Sequence, residues 1–193
     1  KILLIPGSFN PITNAHVDMA LAAKKAVNAD IVYFIPAHDT YVAKKKTLIP
    51  GYCRVSLINS MPNCEKDNIW ALDIETTSFF PQRTYNTITQ LRDEAEKDYK
   101  FNEYYICLGM DNIKDLPAWY NWKPFVEEYQ FVACVREGQK LETALQESGL
   151  MEYKDHFTEI RIPENHTSSS LVRNLCEKGE FDQVKQLVPE NVY

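Results

Sequence analysis

Residues 7–16 read Gly7-Ser8-Phe9-Asn10-Pro11-Ile12-Thr13-Asn14-Ala15-His16. This stretch follows an apolar run of strand length and leads at once into a helical pattern of apolar residues. Gly7 lets the backbone approach a ligand closely, and the free amides at the helix start favour phosphate. His16 falls on the first helical turn, where its imidazole can donate to the same phosphate. The alternative is a tight turn that needs Gly7 only for its geometry, with His16 capping or packing the helix.

The rest of the chain alternates strand-like and helix-like segments. Apolar runs of strand length cover residues 2–5, 31–35, 69–74, 104–108, 131–135 and 157–162. Apolar residues at helical spacing cover residues 15–27, 54–61, 84–97, 141–150, 169–178 and 181–187. This alternation predicts an α/β fold with a parallel sheet. In such a sheet a ligand binds beyond the carboxyl ends of the strands, where the strand order reverses.

The length, net charge and apolar runs of the chain bear on its domain number and on whether it binds nucleic acid or a membrane. The 193 residues predict a single domain over residues 1–193. A net charge of −6 leaves no general basic field for polymeric nucleic acid. No apolar run approaches the roughly 18 residues of a membrane span. We therefore expect a cytoplasmic protein that contacts neither a membrane nor long nucleic acid.

Cysteine usage argues against disulfides and metal sites. The five cysteines are far apart, odd in number and without metal-ligand spacing: Cys53, Cys64, Cys107, Cys134 and Cys176. We predict free thiols and no metal ligands in the chain. A catalytic cysteine is the weaker alternative.

A cluster of hydroxyl side chains precedes a helical pattern near the other end of the chain. Residues 167–173 read Thr167-Ser168-Ser169-Ser170-Leu171-Val172-Arg173. A helix N-cap alone would explain one serine. Several hydroxyls, free amides and the guanidinium of Arg173 together match a triphosphate, so we predict a second phosphate site here.

Both stretches resemble signatures of the nucleotidylyltransferase superfamily. Residues 7–16 are similar to GxFxPxTxxH, with Thr13 where a first histidine often sits, and residues 167–173 are similar to ISSTxxR. The resemblance implies a Rossmann-like nucleotidylyltransferase fold, with sheet order 3-2-1-4-5-6 and helices on both faces. It also implies a set of ATP-binding residues: Gly7, Ser8, Phe9, Thr13, His16, Gly109, Asp111, Ser168, Ser169 and Arg173.

The segment after the fourth predicted strand bears on the acceptor. Residues 109–122 read Gly109-Met110-Asp111-Asn112-Ile113-Lys114-Asp115-Leu116-Pro117-Ala118-Trp119-Tyr120-Asn121-Trp122. This resembles the GxDxxxxLxxWxxW segment of nicotinate mononucleotide adenylyltransferases. The resemblance implies that Asp111 lies at the nucleotide and that Trp119 stacks on the pyridine ring. The alternative for Trp119, and more so for Trp122, is an indole that anchors a helix to the core.

Three further segments resemble the same family. Residues 82–88 are similar to SYTxDTL, which places Thr84 at the nicotinate carboxyl group, although Arg83 and Asn86 depart from the usual Tyr and Asp. A plain capped helix start at Thr84 is the alternative. The lysine run 44–46 and Arg54 are similar to a phosphate-clamping loop and the helix after it, which implies that Lys44 or Lys45 contacts phosphate with Arg54 nearby. A solvated loop is the alternative for the lysine run. Arg136 is similar to the Arg of a VxRxG segment, with a solvent or Glu137 contact as its alternative.

These resemblances imply adenylyl transfer from ATP to nicotinate or nicotinamide mononucleotide in NAD biosynthesis. The implied mononucleotide-binding residues are Ser8, Asn10, Lys45, Thr84, Trp119 and Arg136. The implied catalytic residues are His16, Lys44, Lys45 and Arg173. A phosphate nucleophile is already ionised at neutral pH, so the reaction needs positioning and charge stabilisation rather than a general base. Mg²⁺ would arrive with ATP.

Two other functions stay open at this point. A phosphopantetheine adenylyltransferase would share the chemistry with a different acceptor, and a catalytically silent sensor would only bind the nucleotide. The choice between nicotinate and nicotinamide is also open. The sequence also leaves open which lysine contacts phosphate. The oligomeric state is open as well, and a homo-oligomer is one alternative.

Overall fold

A computed structural model describes residues 1–42, 49–98, 100, 102–162 and 167–193. Six strands form one parallel sheet: β1 (Ile2–Gly7), β2 (Ile31–Pro36), β3 (Ile69–Ala71), β4 (Tyr104–Gly109), β5 (Gln130–Val135) and β6 (Phe157–Arg161). Their order is β3-β2-β1-β4-β5-β6, which confirms the predicted order. The strand order reverses where β1 pairs with β4, so the ligand edge is centred on the end of β1.

Ten α-helices and three 3₁₀ segments lie in the described part of the chain. The α-helices are α1 (Asn14–Val27), α2 (Asp39–Val42), α3 (Gly51–Asn59), α4 (Cys64–Asp67), α5 (Thr84–Lys97), α6 (Met110–Asp115), α7 (Trp122–Glu128), α8 (Leu141–Glu147), α9 (Ser169–Glu177) and α10 (Phe181–Leu187). The 3₁₀ segments are Leu116–Ala118, Met151–His156 and Glu190–Val192. All six predicted helices are present. The helices that the periodicity missed, α2, α4, α6 and α7, have four to seven residues each.

The largest differences between predicted and observed element boundaries are three residues each and occur at the ends of β3 and α8 and at the start of α3. Strand β3 ends at Ala71 rather than at residue 74, because the chain turns at Asp73, whose carbonyl accepts from the Thr77 backbone N–H at 2.9 Å. Helix α8 ends before Gly149, which has φ 72, and the Leu150 N–H closes the end onto the Leu145 carbonyl. Helix α3 begins at Gly51 instead of residue 54.

Side chains of β1 alternate between two separate halves of the core. Leu4 packs into one cluster with residues of α6, α7 and α8, whereas Leu3 and Ile5 pack into a second cluster with residues of α1 and α3. The sheet is therefore covered on both faces, as predicted. All five cysteines are free, and Cys107 and Cys134 are buried in the second cluster.

The length and apolar character of the helices decide whether any of them could cross a membrane. Across the described ranges, no helix combines the length and the apolar character that crossing a membrane requires.

Candidate functional site

Two cavities open at the carboxyl ends of the strands. The first has a volume of about 370 Å³ and is lined by Pro6, Gly7, Ser8, Ala37, Tyr41, Glu75, Gln82, Arg83, Thr84, Tyr85, Asn112, Ala118, Trp119 and Tyr120. The second has a volume of about 200 Å³ and is lined by Ala15, His16, Asp18, Met19, Arg136, Ile162, Thr167 and Ser168. The end of β1 and Ser8 line the first cavity, and the start of α1 lines the second. The loop between β1 and α1 therefore lies between the two cavities, at the point where strand order reverses.

The glycine that ends β1 makes room for an aromatic ring. Phe9 is buried, with φ 44, and its ring meets those of His16 and Phe34 edge-on at centroid distances of 5.3 and 4.9 Å. A Cβ on Gly7 would lie 2.7 Å from Phe9 Cζ. Gly7 is thus required by packing as well as by its place in the first cavity. Phe9 was predicted to bind ATP, but its ring lies in the core. A contact of Phe9 with ATP would therefore involve its backbone, and it stays a prediction.

Gly7→Ala is expected to lower the free energy of unfolding by about 1–3 kcal/mol, because the Phe9 ring is hemmed in by His16 and Phe34 and cannot move away freely. Urea titration monitored by circular dichroism measures this change. Gly109→Ala is the matched control, since a Cβ there would meet nothing within 4 Å. Equal stability of the two variants would contradict the packing role of Gly7.

The residue before α1 orients His16. The backbone N–H of Thr13 donates to His16 Nδ1 at 3.1 Å, and the buried Thr13 hydroxyl lies 2.7 Å from the same nitrogen. Because Nδ1 accepts these bonds, the neutral ring carries its proton on Nε2. His16 lines the second cavity. Thr13, predicted to bind ATP, uses its hydroxyl to hold the imidazole, and its contact with ATP stays a prediction.

The family resemblance implied that Arg54 lies near the phosphate-clamping lysines. Its side chain is fully buried. Its guanidinium donates to the carbonyls of Ile49, Ser8 and Ala37 at 3.0, 2.6 and 2.7 Å, and to Asp39 Oδ1 at 2.6 Å. Arg54 therefore ties the ends of β1 and β2 to the start of α3. Phosphate binding by Arg54 would require these bonds to break.

Asn10 is also buried and supports the same loops. Its Oδ1 accepts from the backbone N–H of Ile49 at 2.8 Å. This bond gives the Asn10 side chain a structural role in the β1 loop. Its predicted contact with the mononucleotide stays a prediction.

Contacts between the two phosphate motifs join the ends of the chain. Arg173 Nη1 donates to the Asn10 carbonyl at 2.6 Å, across 163 positions of sequence, and the Ser169 hydroxyl donates to the Pro11 carbonyl at 2.8 Å. Ser168 caps α9 by accepting from the Leu171 N–H at 3.1 Å. The capping interpretation therefore holds for Ser168, which also lines the second cavity. Both predicted phosphate motifs lie at one edge of the sheet.

The first cavity contains the predicted acceptor residues Ser8, Thr84 and Trp119. Trp119 is half-buried and lies over Phe125, with ring centroids 6.4 Å apart and planes 18° from parallel. Thr84 is the first residue of α5, and the residue at the cap position is Arg83. The cavity is thus built where the α5 start faces the segment after α6.

Two residues of the 109–122 segment, Asp111 and Trp122, do not line the first cavity. Trp122 packs edge-on against Tyr153 at 6.3 Å, which supports its alternative as a core anchor. Asp111 is exposed in the first turn of α6, and its neighbour Asn112 lines the first cavity instead. Gly109 precedes this helix as its N-cap. Contacts of Asp111 and Gly109 with ATP stay predictions.

Glu75 is a lining residue of the first cavity that the sequence analysis missed. It is 4% exposed, and it accepts a hydrogen bond from the Thr87 hydroxyl at 2.9 Å. Burial raises the pKa of its carboxyl, while hydrogen bonds from Thr87 and the His38 backbone and the charge of Arg54 act to lower that pKa. Glu75 follows the third predicted strand directly, which could have indicated that it lies at the ligand edge. Nothing in the sequence indicated that its side chain is buried.

The arginines fall into two groups according to their partners. Half of the six pair with carboxylates: Arg54 with Asp39, Arg92 with Asp93 and Glu128, and Arg161 with Glu159. Within the described ranges, Arg83, Arg136 and Arg173 pair with no carboxylate. All three lie at the ligand edge, where cations without an internal counter-charge suit anionic ligands.

Arg136, Lys44 and Lys45 are the other cations that were predicted to lie at the site. Arg136 is exposed and lines the second cavity together with His16, although it was predicted to bind the mononucleotide; that role stays a prediction. Lys44 and Lys45, predicted to be catalytic, and Lys46 lie outside the described residues.

Comparison with known proteins identifies the family. A family model described as cytidylyltransferase-like matches residues 4–175. The chain belongs to this cytidylyltransferase-like family. The predicted membership of the nucleotidylyltransferase superfamily is thereby confirmed.

Two curated relatives match this chain over its full length. A probable nicotinate-nucleotide adenylyltransferase of Dehalococcoides mccartyi is 31% identical, covering 100% of this chain and 92% of the relative. A protein of the same name from Bacillus anthracis is 28% identical, covering 100% and 93%. These relatives confirm the resemblance on which the sequence analysis relied.

Solved structures agree on the fold. Plasmodium falciparum nicotinic acid mononucleotide adenylyltransferase complexed with APC has a TM-score of 0.69 and 22% identity, covering 97% of this chain and 89% of that one. The same protein complexed with NaAD has a TM-score of 0.68 and 23% identity, with the same coverage. At such identities the likeness supports the Rossmann-like fold.

Proposed function

We propose that this chain transfers the adenylyl group of ATP to nicotinate or nicotinamide mononucleotide, forming the dinucleotide and releasing pyrophosphate in NAD biosynthesis. The observation that carries the proposal is the contact of Arg173 with Asn10, which brings two phosphate motifs 163 positions apart to one sheet edge. Support comes from the curated relatives named nicotinate-nucleotide adenylyltransferase, which match the whole chain.

The two cavities suit two substrates. The second cavity is lined by His16 and Ser168, as an ATP phosphate site requires. The first cavity offers Trp119 as an aromatic surface and Thr84 at a helix start, as a pyridine mononucleotide requires. The residues from Gly7 to His16 lie between them, so the acceptor phosphate and the ATP α-phosphate would meet at this loop.

The proposed reaction is in-line attack of the mononucleotide phosphate oxygen on the α-phosphorus of ATP. The nucleophile is already an anion, so the protein needs to align the substrates and stabilise charge. His16 donates from Nε2 to the α-phosphate, since Thr13 occupies Nδ1. Ser168, Ser169 and Arg173 hold the pyrophosphate as it leaves. Lys44 or Lys45 adds charge from the loop after β2.

A divalent metal generally accompanies ATP in nucleotidylyltransferases. We propose Mg²⁺ for this chain. Among the residues that the structure describes, no group of three or more His, Cys, Asp or Glu side chains could hold a metal ion. That arrangement fits an ion whose ligands are phosphate oxygens and water. Mg²⁺ neutralises phosphate charge when it is bound with ATP.

Pyrophosphate release tests the proposal. The protein is incubated with ATP and Mg²⁺ in parallel reactions with nicotinate mononucleotide, nicotinamide mononucleotide and phosphopantetheine. Release with a pyridine mononucleotide is the expected result. Release with phosphopantetheine alone would support the alternative acceptor, and no release with any acceptor would support a silent sensor.

A variant of Trp119 adds a second criterion to the same assay. Loss of ring stacking in Trp119→Ala is expected to raise KM for the pyridine mononucleotide about tenfold, with little change in KM for ATP. Similar increases in KM for ATP and for the mononucleotide would instead indicate a general structural defect.

The single domain, the cytoplasmic location and the alternative of a homo-oligomer stay predictions.

A further inference from the structure

Arg83 is a cation at the mouth of the first cavity. It is exposed and occupies the N-cap position of α5. Its guanidinium carbon lies 5.8 Å from the centroid of the Tyr41 ring, which lines the same cavity. This contact keeps the guanidinium beside the cavity.

The charge of Arg83 is not neutralised by a neighbouring carboxylate in the described part of the chain. Glu75 is the acidic residue of the cavity lining, but it is buried and hydrogen-bonded to Thr87. The other titratable groups of the lining are the phenols of Tyr41, Tyr85 and Tyr120. A ligand that enters past the rim therefore meets a positive charge first.

The position of Arg83 in the chain adds to this field. Thr84 and Tyr85 follow it in the first turn of the 14-residue helix α5 and line the cavity too. The amide dipoles at this helix start have their positive end at the cavity and add to the guanidinium charge.

We propose that Arg83 makes the first cavity select the acid form of the acceptor, nicotinate mononucleotide, over the amide form. This inference rests on the proposed function. The two acceptors differ by a ring carboxylate in place of a carboxamide. A guanidinium can form two parallel charge-assisted hydrogen bonds with a carboxylate, whereas a carboxamide offers it a single neutral oxygen. Arg83 is thus a specificity residue at the pyridine ring.

The test compares kcat/KM for the two mononucleotides in the wild type and in Arg83→Gln. We expect the value for nicotinate mononucleotide to fall about tenfold and the value for nicotinamide mononucleotide by less than about twofold. Arg83→Lys, which keeps the charge without the planar fork, is expected to retain part of the preference. Raising the ionic strength is expected to weaken the preference in the wild type but not in Arg83→Gln.

Lys97→Gln is the matched control, because it removes one exposed charge from the last turn of the same helix. It is expected to leave the ratio unchanged. Folding of Arg83→Gln is expected to be normal, since the bond that anchors this position runs from the Thr87 N–H to the Arg83 carbonyl at 3.0 Å. Equal thermal midpoints of wild type and variant check this.

The outcomes separate the inference from the proposed function. Equal losses with both mononucleotides in Arg83→Gln would mean that Arg83 binds a group common to both, such as the phosphate, and would overturn the inference alone. An unchanged ratio with undiminished turnover would overturn it as well. Absence of turnover with either mononucleotide in the wild type would overturn the proposed function and the inference with it.

Discussion

Replacement of His16 by alanine is expected to lower kcat for adenylyl transfer about 100-fold or more. The imidazole lies on the first turn of α1, faces the second cavity and is oriented by two bonds from Thr13 to Nδ1. This geometry aims the Nε2 proton at a phosphate, where negative charge is redistributed in the transition state. Because the donor is fixed before the reaction, its removal affects turnover more than the binding of ATP.

Steady-state pyrophosphate release, with ATP and nicotinate mononucleotide both saturating, measures this effect. His156→Ala is the matched control, because His156 precedes β6 at the opposite edge of the sheet and contacts the Tyr129 carbonyl. That variant is expected to turn over at nearly the wild-type rate. Near-normal turnover in His16→Ala would remove the imidazole from the mechanism.

Arg54→Met is expected to lower the free energy of unfolding by about 3 kcal/mol or more. The variant fills similar space but leaves the carbonyls of Ser8, Ala37 and Ile49 and the carboxylate of Asp39 without their donor. A buried acceptor that loses its partner costs about 1–3 kcal/mol. Since Asp39 is partly exposed, water can replace some of the lost interaction with that carboxylate.

Urea unfolding of wild type and variant measures the loss. Arg92→Met serves as the control, because Arg92 also pairs with carboxylates, Asp93 and Glu128, but is 29% exposed. Its replacement is expected to cost no more than about 1 kcal/mol. A similar small cost at Arg54 would contradict its role in tying the loops together. Activity of Arg54→Met is also expected to fall in the folded protein, because Ser8 lines the first cavity.

Local patterns in the sequence predicted most of the fold. Apolar runs and helical spacing located six strands and six helices, and resemblance to a known family supplied the strand order that the sheet has. The glycine loop before α1 and the serine cluster before α9 were predicted to be phosphate sites, and the structure brings the two segments into contact. These features depend on residues close together in sequence, so their signals survive without knowledge of packing.

Tertiary structure decided which polar side chains line a cavity and which are buried in the protein. Arg54 and Arg83 are both arginines near predicted loops, yet the first is buried against Ser8 and Ala37 and the second is exposed at the cavity rim. Glu75 is buried because Thr87, on another element, meets it. Arg173 reaches Asn10 only because α9 packs beside the β1 loop. A side chain's partners and exposure depend on segments distant in sequence, and composition and periodicity carry no record of those contacts.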